Sequence, residues 1–128
     1  MRINISLEIT DEMIEDILCC AFEGGITYWA DNVSCEDKED MKKVGGWKHE
    51  YLTKTKKKDA KLIIWTNEEY NGDKYPITKK SIIEALEKMG NPKYKHTKTL
   101  GRILDATYDA WDSDAVLQIA CFGEVMYG

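Results

Sequence analysis

The sequence is short of features that would announce a function. Its longest apolar runs, such as Leu62-Ile63-Ile64-Trp65, are only a few residues, whereas a membrane-spanning helix takes about 20. Met1-Arg2-Ile3-Asn4 begins an alternating segment and does not read as a signal peptide. Only two histidines are present, His49 and His96, and neither stands in a nucleophile or metal-ligand motif. G-x-S-x-G, Walker and H-E-x-x-H patterns are absent, which removes the common hydrolytic classes. The four cysteines, Cys19, Cys20, Cys35 and Cys121, form no C-x-x-C pair or zinc spacing. On a helix Cys19 and Cys20 point about 100° apart and make a poor redox pair. They read as reduced thiols of a cytosolic protein. An excess of basic charge is also missing: 18 Lys and Arg against 23 Asp and Glu give a net charge of −5. Broad non-specific binding to nucleic acid needs the opposite field.

What is present is an ordinary globular composition, 43% apolar and 32% charged over 128 residues, the length of one domain spanning 1–128. Ile3, Ile5, Leu7 and Ile9 alternate with polar residues, which predicts a half-buried strand over 2–9. Thr10 and Asp11 offer a cap for a helix with Met13, Ile14, Ile17, Leu18, Ala21 and Phe22 on one stripe. The stripe continues to Gly25, Tyr28 and Trp29, so the helix is expected to run through Gly24-Gly25. The competing reading ends it at Gly24 as a C-cap. Residues 31–46 read as a polar surface excursion, and 47–53 as a strand or more of the loop. A strand over 61–66, a turn at Asn71-Gly72-Asp73 and a return strand over 74–77 make a hairpin. Thr78 caps a helix stopped by Gly90-Asn91-Pro92. A further helix is expected over about 97–108, and a last one capped by Asp112. The expected fold is therefore α+β: a small antiparallel sheet, made of the N-terminal strand plus the central hairpin, packed against about four helices.

Four places can carry chemistry, and each has a structural alternative. Gly24, Gly25, Tyr28 and Trp29 would give a flat backbone patch beside two amphipathic rings, suited to stacking. The same residues also fit a glycine notch that admits a neighbouring helix, which is the commoner meaning of such a stripe. Gln118 and Glu124 are polar groups in an apolar stretch. They suit either a ligand amide or hydroxyl, or attachment of the last helix to the backbone of the first helix. Asp105 and Asp109, one turn apart on the expected helix, are a weak candidate for Mg²⁺ and hence for a nuclease. Asp112 and Asp114 are explained by helix capping. Lys42, Lys43, Lys48 and the run Lys54 to Lys58 can meet phosphates, or form a solvated loop. No cofactor, resident metal or catalytic residue is called for.

The stretch Leu18-Cys19-Cys20-Ala21-Phe22-Glu23-Gly24-Gly25-Ile26-Thr27-Tyr28-Trp29, together with Leu117-Gln118 and the ending Phe122-Gly123-Glu124-Val125-Met126-Tyr127-Gly128, resembles a family of small proteins encoded by tailed bacteriophages and prophages. The likeness follows the element order of nearly the whole chain and is poor over 31–60. It carries no reaction, and so no catalytic residue. It implies a phage accessory gene expressed in the bacterial host cytoplasm and acting on host defences. Expected first is a non-catalytic homo-oligomer that sequesters a nucleotide-derived immune signal. On that reading Tyr28 and Trp29 stack on the ligand, Gly24 and Gly25 admit it to the backbone, Gln118 and Glu124 make polar contacts, and Lys42, Lys43 and Lys48 meet phosphate. The alternative is a protein that blocks a host nuclease or defence effector through an acidic surface centred on 36–40.

Overall fold

The computed structural model describes residues 6–128. Thr10 accepts the N–H of Met13 at 3.2 Å and opens helix α1, Asp11–Cys20. The helix does run into the glycines, but as a π turn over Ala21–Gly25, closed by the N–H of Ile26 on the carbonyl of Ala21. It ends there, so Tyr28 and Trp29 lie in the turn beyond the helix. Strand β1 follows at Ala30–Ser34, then short helices α2 (Lys38–Lys43) and α3 (Lys48–Lys54). The hairpin forms as expected from β2 (Leu62–Thr66) and β3 (Lys74–Ile77). Helices α4 (Lys79–Met89), α5 (Thr97–Leu104) and α6 (Ala110–Phe122) complete the chain.

The fold is α+β, with an antiparallel sheet in the order β1-β2-β3. Several expectations are corrected. The strand predicted over 2–9 lies partly outside the described residues, and residues 6–10 form none. Leu7 and Ile9 instead line an apolar groove with Ile83, Leu86 and Leu100. The outer strand β1 comes from the segment read as surface excursion. Its register with β2 shifts between Ala30 and Asn32, and its polar Asp31 and Asn32 are exposed. A bulged edge strand does not alternate cleanly. Residues 48–54 are helical because Tyr51 and Leu52, adjacent in sequence, both turn inward. The described residues hold six α-helices against the four expected.

One cluster of buried side chains joins all these parts. Ile14, Ile17 and Leu18 of α1 meet Val116, Leu117 and Ile119 of α6, Ile82, Leu86 and Met89 of α4, and Leu62, Ile64 and Ile77 of the sheet. The helices lie on this inner face. On the other face Trp65 is exposed, donating from its indole to the Ser34 hydroxyl at 2.8 Å. No helix among the described residues is long and apolar enough to cross a membrane.

The acidic pairs also change meaning. Helix α5 stops at Leu104, and Asp109 is the N-cap of α6, with Asp112 at the third position of a reciprocal capping box. Asp105 and Asp109 thus share no helix face, and Asp112 is not itself the cap. Among the described residues no group of three or more His, Cys, Asp or Glu is placed to hold a metal ion. Asp112 is buried and grips Arg102 through two bonds, Nε to Oδ2 at 2.8 Å and Nη2 to Oδ1 at 2.6 Å. Arg102, and then the N–H of Asp109, hold its carboxyl below the usual range. A lowered carboxyl pKa stabilises above the ordinary carboxylate range, and the gain is lost as pH falls through the folded value. With Arg102 half exposed, Arg102→Ala is expected to cost about 1–2 kcal/mol at pH 7. The difference from wild type should be smaller at a pH below the ordinary carboxylate range than at pH 7. Urea unfolding at both pH values checks this, and a cost unchanged at the lower pH would count against the ion pair.

Candidate functional site

The glycine-aromatic segment and the last helix meet around Asp114. This residue sits on the second turn of α6, only 3% exposed. Its Oδ2 accepts the Tyr28 hydroxyl at 2.6 Å. Its Oδ1 accepts the Trp29 indole N–H at 2.7 Å and the Gln118 amide at 3.0 Å. A carboxylate so buried is tolerable because three donors replace its water. Burial and the adjacent Asp114 carboxylate push the Tyr28 hydroxyl well above its ordinary pKa. Tyr28 is therefore a neutral donor here and not a base.

Trp29 is fully buried, its ring 5.2 Å from Phe122 and 6.2 Å from Tyr127. It offers no open face for stacking. Tyr28 is half-buried, edge-on to Tyr70 at 6.3 Å. Gly25 is a packing notch: a Cβ there would lie 2.8 Å from the Ala110 carbonyl oxygen and 2.8 Å from the Ser113 hydroxyl. Gly24 is exposed with nothing nearby. Gln118, also fully buried, binds amides as its chemistry suggests, but those of its own chain. Its Oε1 accepts the N–H groups of Met126 and Tyr127, each at 2.8 Å. Glu124 is exposed and makes no hydrogen bond or ion pair among the described residues. The structure thus joins Gly25, Tyr28, Trp29 and Gln118 into one interior network and leaves Gly24 and Glu124 outside it.

The lysines lie elsewhere. Lys42 and Lys43 end α2 and Lys48 begins α3, across a tight turn in which Gly45 and Gly46 take φ of +107° and +80°. All three are exposed, and none forms an ion pair among the described residues. Lys48 also reaches the other side of the glycine-aromatic segment. There a cleft of about 220 Å³ has apolar walls of Phe22, Ile26 and Val33. Its polar rim is Thr27, Asp31, Asn32 and Lys48. Beside Lys48 stands Trp47, 63% exposed, with its ring 5.9 Å from that of His49. By contrast the acidic run 36–40 is partly used internally. Asp37 caps α2 and pairs with Lys57 at 2.8 Å, and Asp40 accepts from Tyr51 and Thr55.

Sequence reasoning had passed over Trp47, Asp31, Asn32 and the central role of Asp114. An aromatic next to a Gly-Gly turn between lysines was a signal for the first. Asp31 and Asn32 needed β1 to be recognised, and Asp114 was masked by its place near a helix start, where acids are expected anyway. Comparison with protein-family models, with curated proteins and with solved structures finds no match.

Proposed function

We propose that this chain is a non-catalytic binding protein for a small nucleotide-type ligand, which it sequesters as a homo-oligomer. The observation that carries the reading is the cleft in which Lys48, next in the chain to an exposed Trp47, meets the polar rim of the glycine-aromatic segment. At about 220 Å³ it is smaller than the roughly 300–1,000 Å³ of sites that enclose a whole drug-sized molecule. It suits a single ring, with the remainder of the ligand lying outward. Exposed Trp47 is then a stacking platform, and Lys42, Lys43 and Lys48 supply ammonium groups for phosphate. The stacking role expected of Trp29 passes to Trp47, because Trp29 is consumed in the core. The resemblance to phage proteins supplies the setting of host cytoplasm and a defence signal as cargo.

The test is native mass spectrometry of the protein with a panel of cyclic and ADP-ribose-type nucleotides. A panel member should be retained at fixed stoichiometry on a discrete oligomer. Lys48→Glu and Trp47→Ala should each weaken it at least about tenfold, the effect of losing one stacked or charge-assisted contact. A clean spectrum with every nucleotide, or full retention by both variants, would sink this reading. The alternative, a protein that occludes a host effector through acidic surface, draws on Glu12 and Asp16, exposed on α1, and Glu23, exposed in the π turn, more than on the partly consumed 36–40 run. It gains if a host protein is bound with steep salt dependence while nucleotides are ignored.

A further inference from the structure

We propose that Gly123–Gly128 is an exchangeable arm, and that the site holding it also takes the same arm from a second copy of this chain. This inference does not depend on the small-ligand reading. The arm has no regular structure, and Glu124, Val125 and Met126 are exposed. Two anchors hold most of it. The buried amide of Gln118 accepts from Met126 and Tyr127 N–H and donates to the Tyr127 carbonyl at 3.1 Å. It reads backbone as a neighbouring strand would, without regard to which chain the backbone belongs. The Tyr127 ring fills an aromatic recess, 4.5 Å from Tyr70, 5.5 Å from Phe122 and 6.2 Å from Trp29.

None of these contacts needs the covalent link through Gly123, so an arm from a second copy satisfies them equally. What favours the arm's own site is effective concentration, of order millimolar for a short connection. The turn that makes the connection possible is a single residue. Gly123 caps α6 in the left-handed region at φ +83°, where a β-branched side chain is strained. Straightening that residue sends the arm outward, and two such chains exchanging arms close a symmetric dimer. Apolar surface surrounds the arm: Trp111 is 68% exposed beside Gly128, and Val125 and Met126 are open. A second copy would cover it.

The experiment uses the full chain with Gly123→Val, followed by size-exclusion chromatography with light scattering from about 10 µM to about 1 mM, the range that brackets the effective concentration. The variant should dimerise at a concentration at least tenfold lower than wild type. Adding Tyr127→Ala should return it to monomer. A Gly123→Val chain that stays monomeric throughout, or a dimer that survives Tyr127→Ala, overturns the proposal. If wild type is already dimeric, Tyr127→Ala must dissociate it, and persistence of that dimer likewise overturns the proposal. Should Gly123→Val fail to fold, a labelled peptide Gly-Glu-Val-Met-Tyr-Gly is titrated into full-length Tyr127→Ala and wild type. Uptake at least tenfold tighter by Tyr127→Ala supports exchange, and equal or no uptake rejects it.

Discussion

Asp114→Leu should destabilise the protein by about 4 kcal/mol, the largest effect expected of any polar substitution. Leucine keeps the branched heavy-atom skeleton of aspartate and is the larger of the two, so no cavity arises. The cost comes from donors left without an acceptor. The Trp29 indole N–H is fully enclosed and has no other partner among the described residues, Gln118 loses one of its acceptors, and the Tyr28 hydroxyl must turn elsewhere. Each buried donor so orphaned costs about 1–3 kcal/mol. Asp114→Asn should be much milder, about 1–2 kcal/mol. Its carbonyl can still accept from Trp29 and Gln118, and its amide can donate to a reversed Tyr28 hydroxyl. At about 4 °C per kcal/mol for a chain of this size, the leucine variant should melt roughly 15 °C below wild type. Apolar replacement of a buried ionic group is sometimes neutral. A leucine variant as stable as the asparagine variant would place this network in that class and remove its role as the organiser of the core.

That network also marks how far the sequence was legible. The hairpin, α4 with its Thr78 cap and Gly90 stop, and the α+β class follow from local rules: turn residues, caps and clean periodicity. The elements that were misread are those whose local pattern is overruled by partners distant in sequence. Strand β1 has two exposed polar residues in its centre and is a strand only because β2 pairs with it. Residues 47–53 place Trp47, His49, Tyr51 and Thr53 at every second position, as a strand would, yet Tyr51 and Leu52 both turn inward and Tyr51 donates to Asp40. At the site, Gln118 binds backbone amides of Met126 and Tyr127, neither a ligand nor the first helix, and Gly25 admits the backbone of α6. Whether the partner is a ligand or the protein's own chain is a question of tertiary contact, which no spacing encodes. Asp114, 85 residues from Trp29, carried no local sign of its role.

Adjacent glycines should respond to the same substitution with opposite signs. Gly25→Ala should cost about 3 kcal/mol, the upper end for overpacking. The new methyl would meet the Ala110 carbonyl oxygen at 2.8 Å, the Ser113 hydroxyl at 2.8 Å and the Asp114 backbone nitrogen at 3.4 Å. Two of these three are backbone atoms of the first turns of α6, so relief requires moving the helix that presents Asp114 and Gln118, and the damage spreads into their network. Gly24→Ala meets nothing within 4 Å, and its φ is not in the left-handed region. Alanine there removes unfolded-state freedom at a helical position, and should stabilise by about 0.5–1 kcal/mol. Thermal unfolding of the two single variants, made side by side, separates a packing role from a general intolerance of side chains in the π turn. If both destabilise alike, the turn itself demands glycine and the contact with α6 is incidental. If Gly24→Ala is neutral or stabilising while Gly25→Ala falls by roughly 10 °C, the close approach of α6 is what places a glycine at position 25. In that case the buried network around Asp114 exists because that approach is allowed.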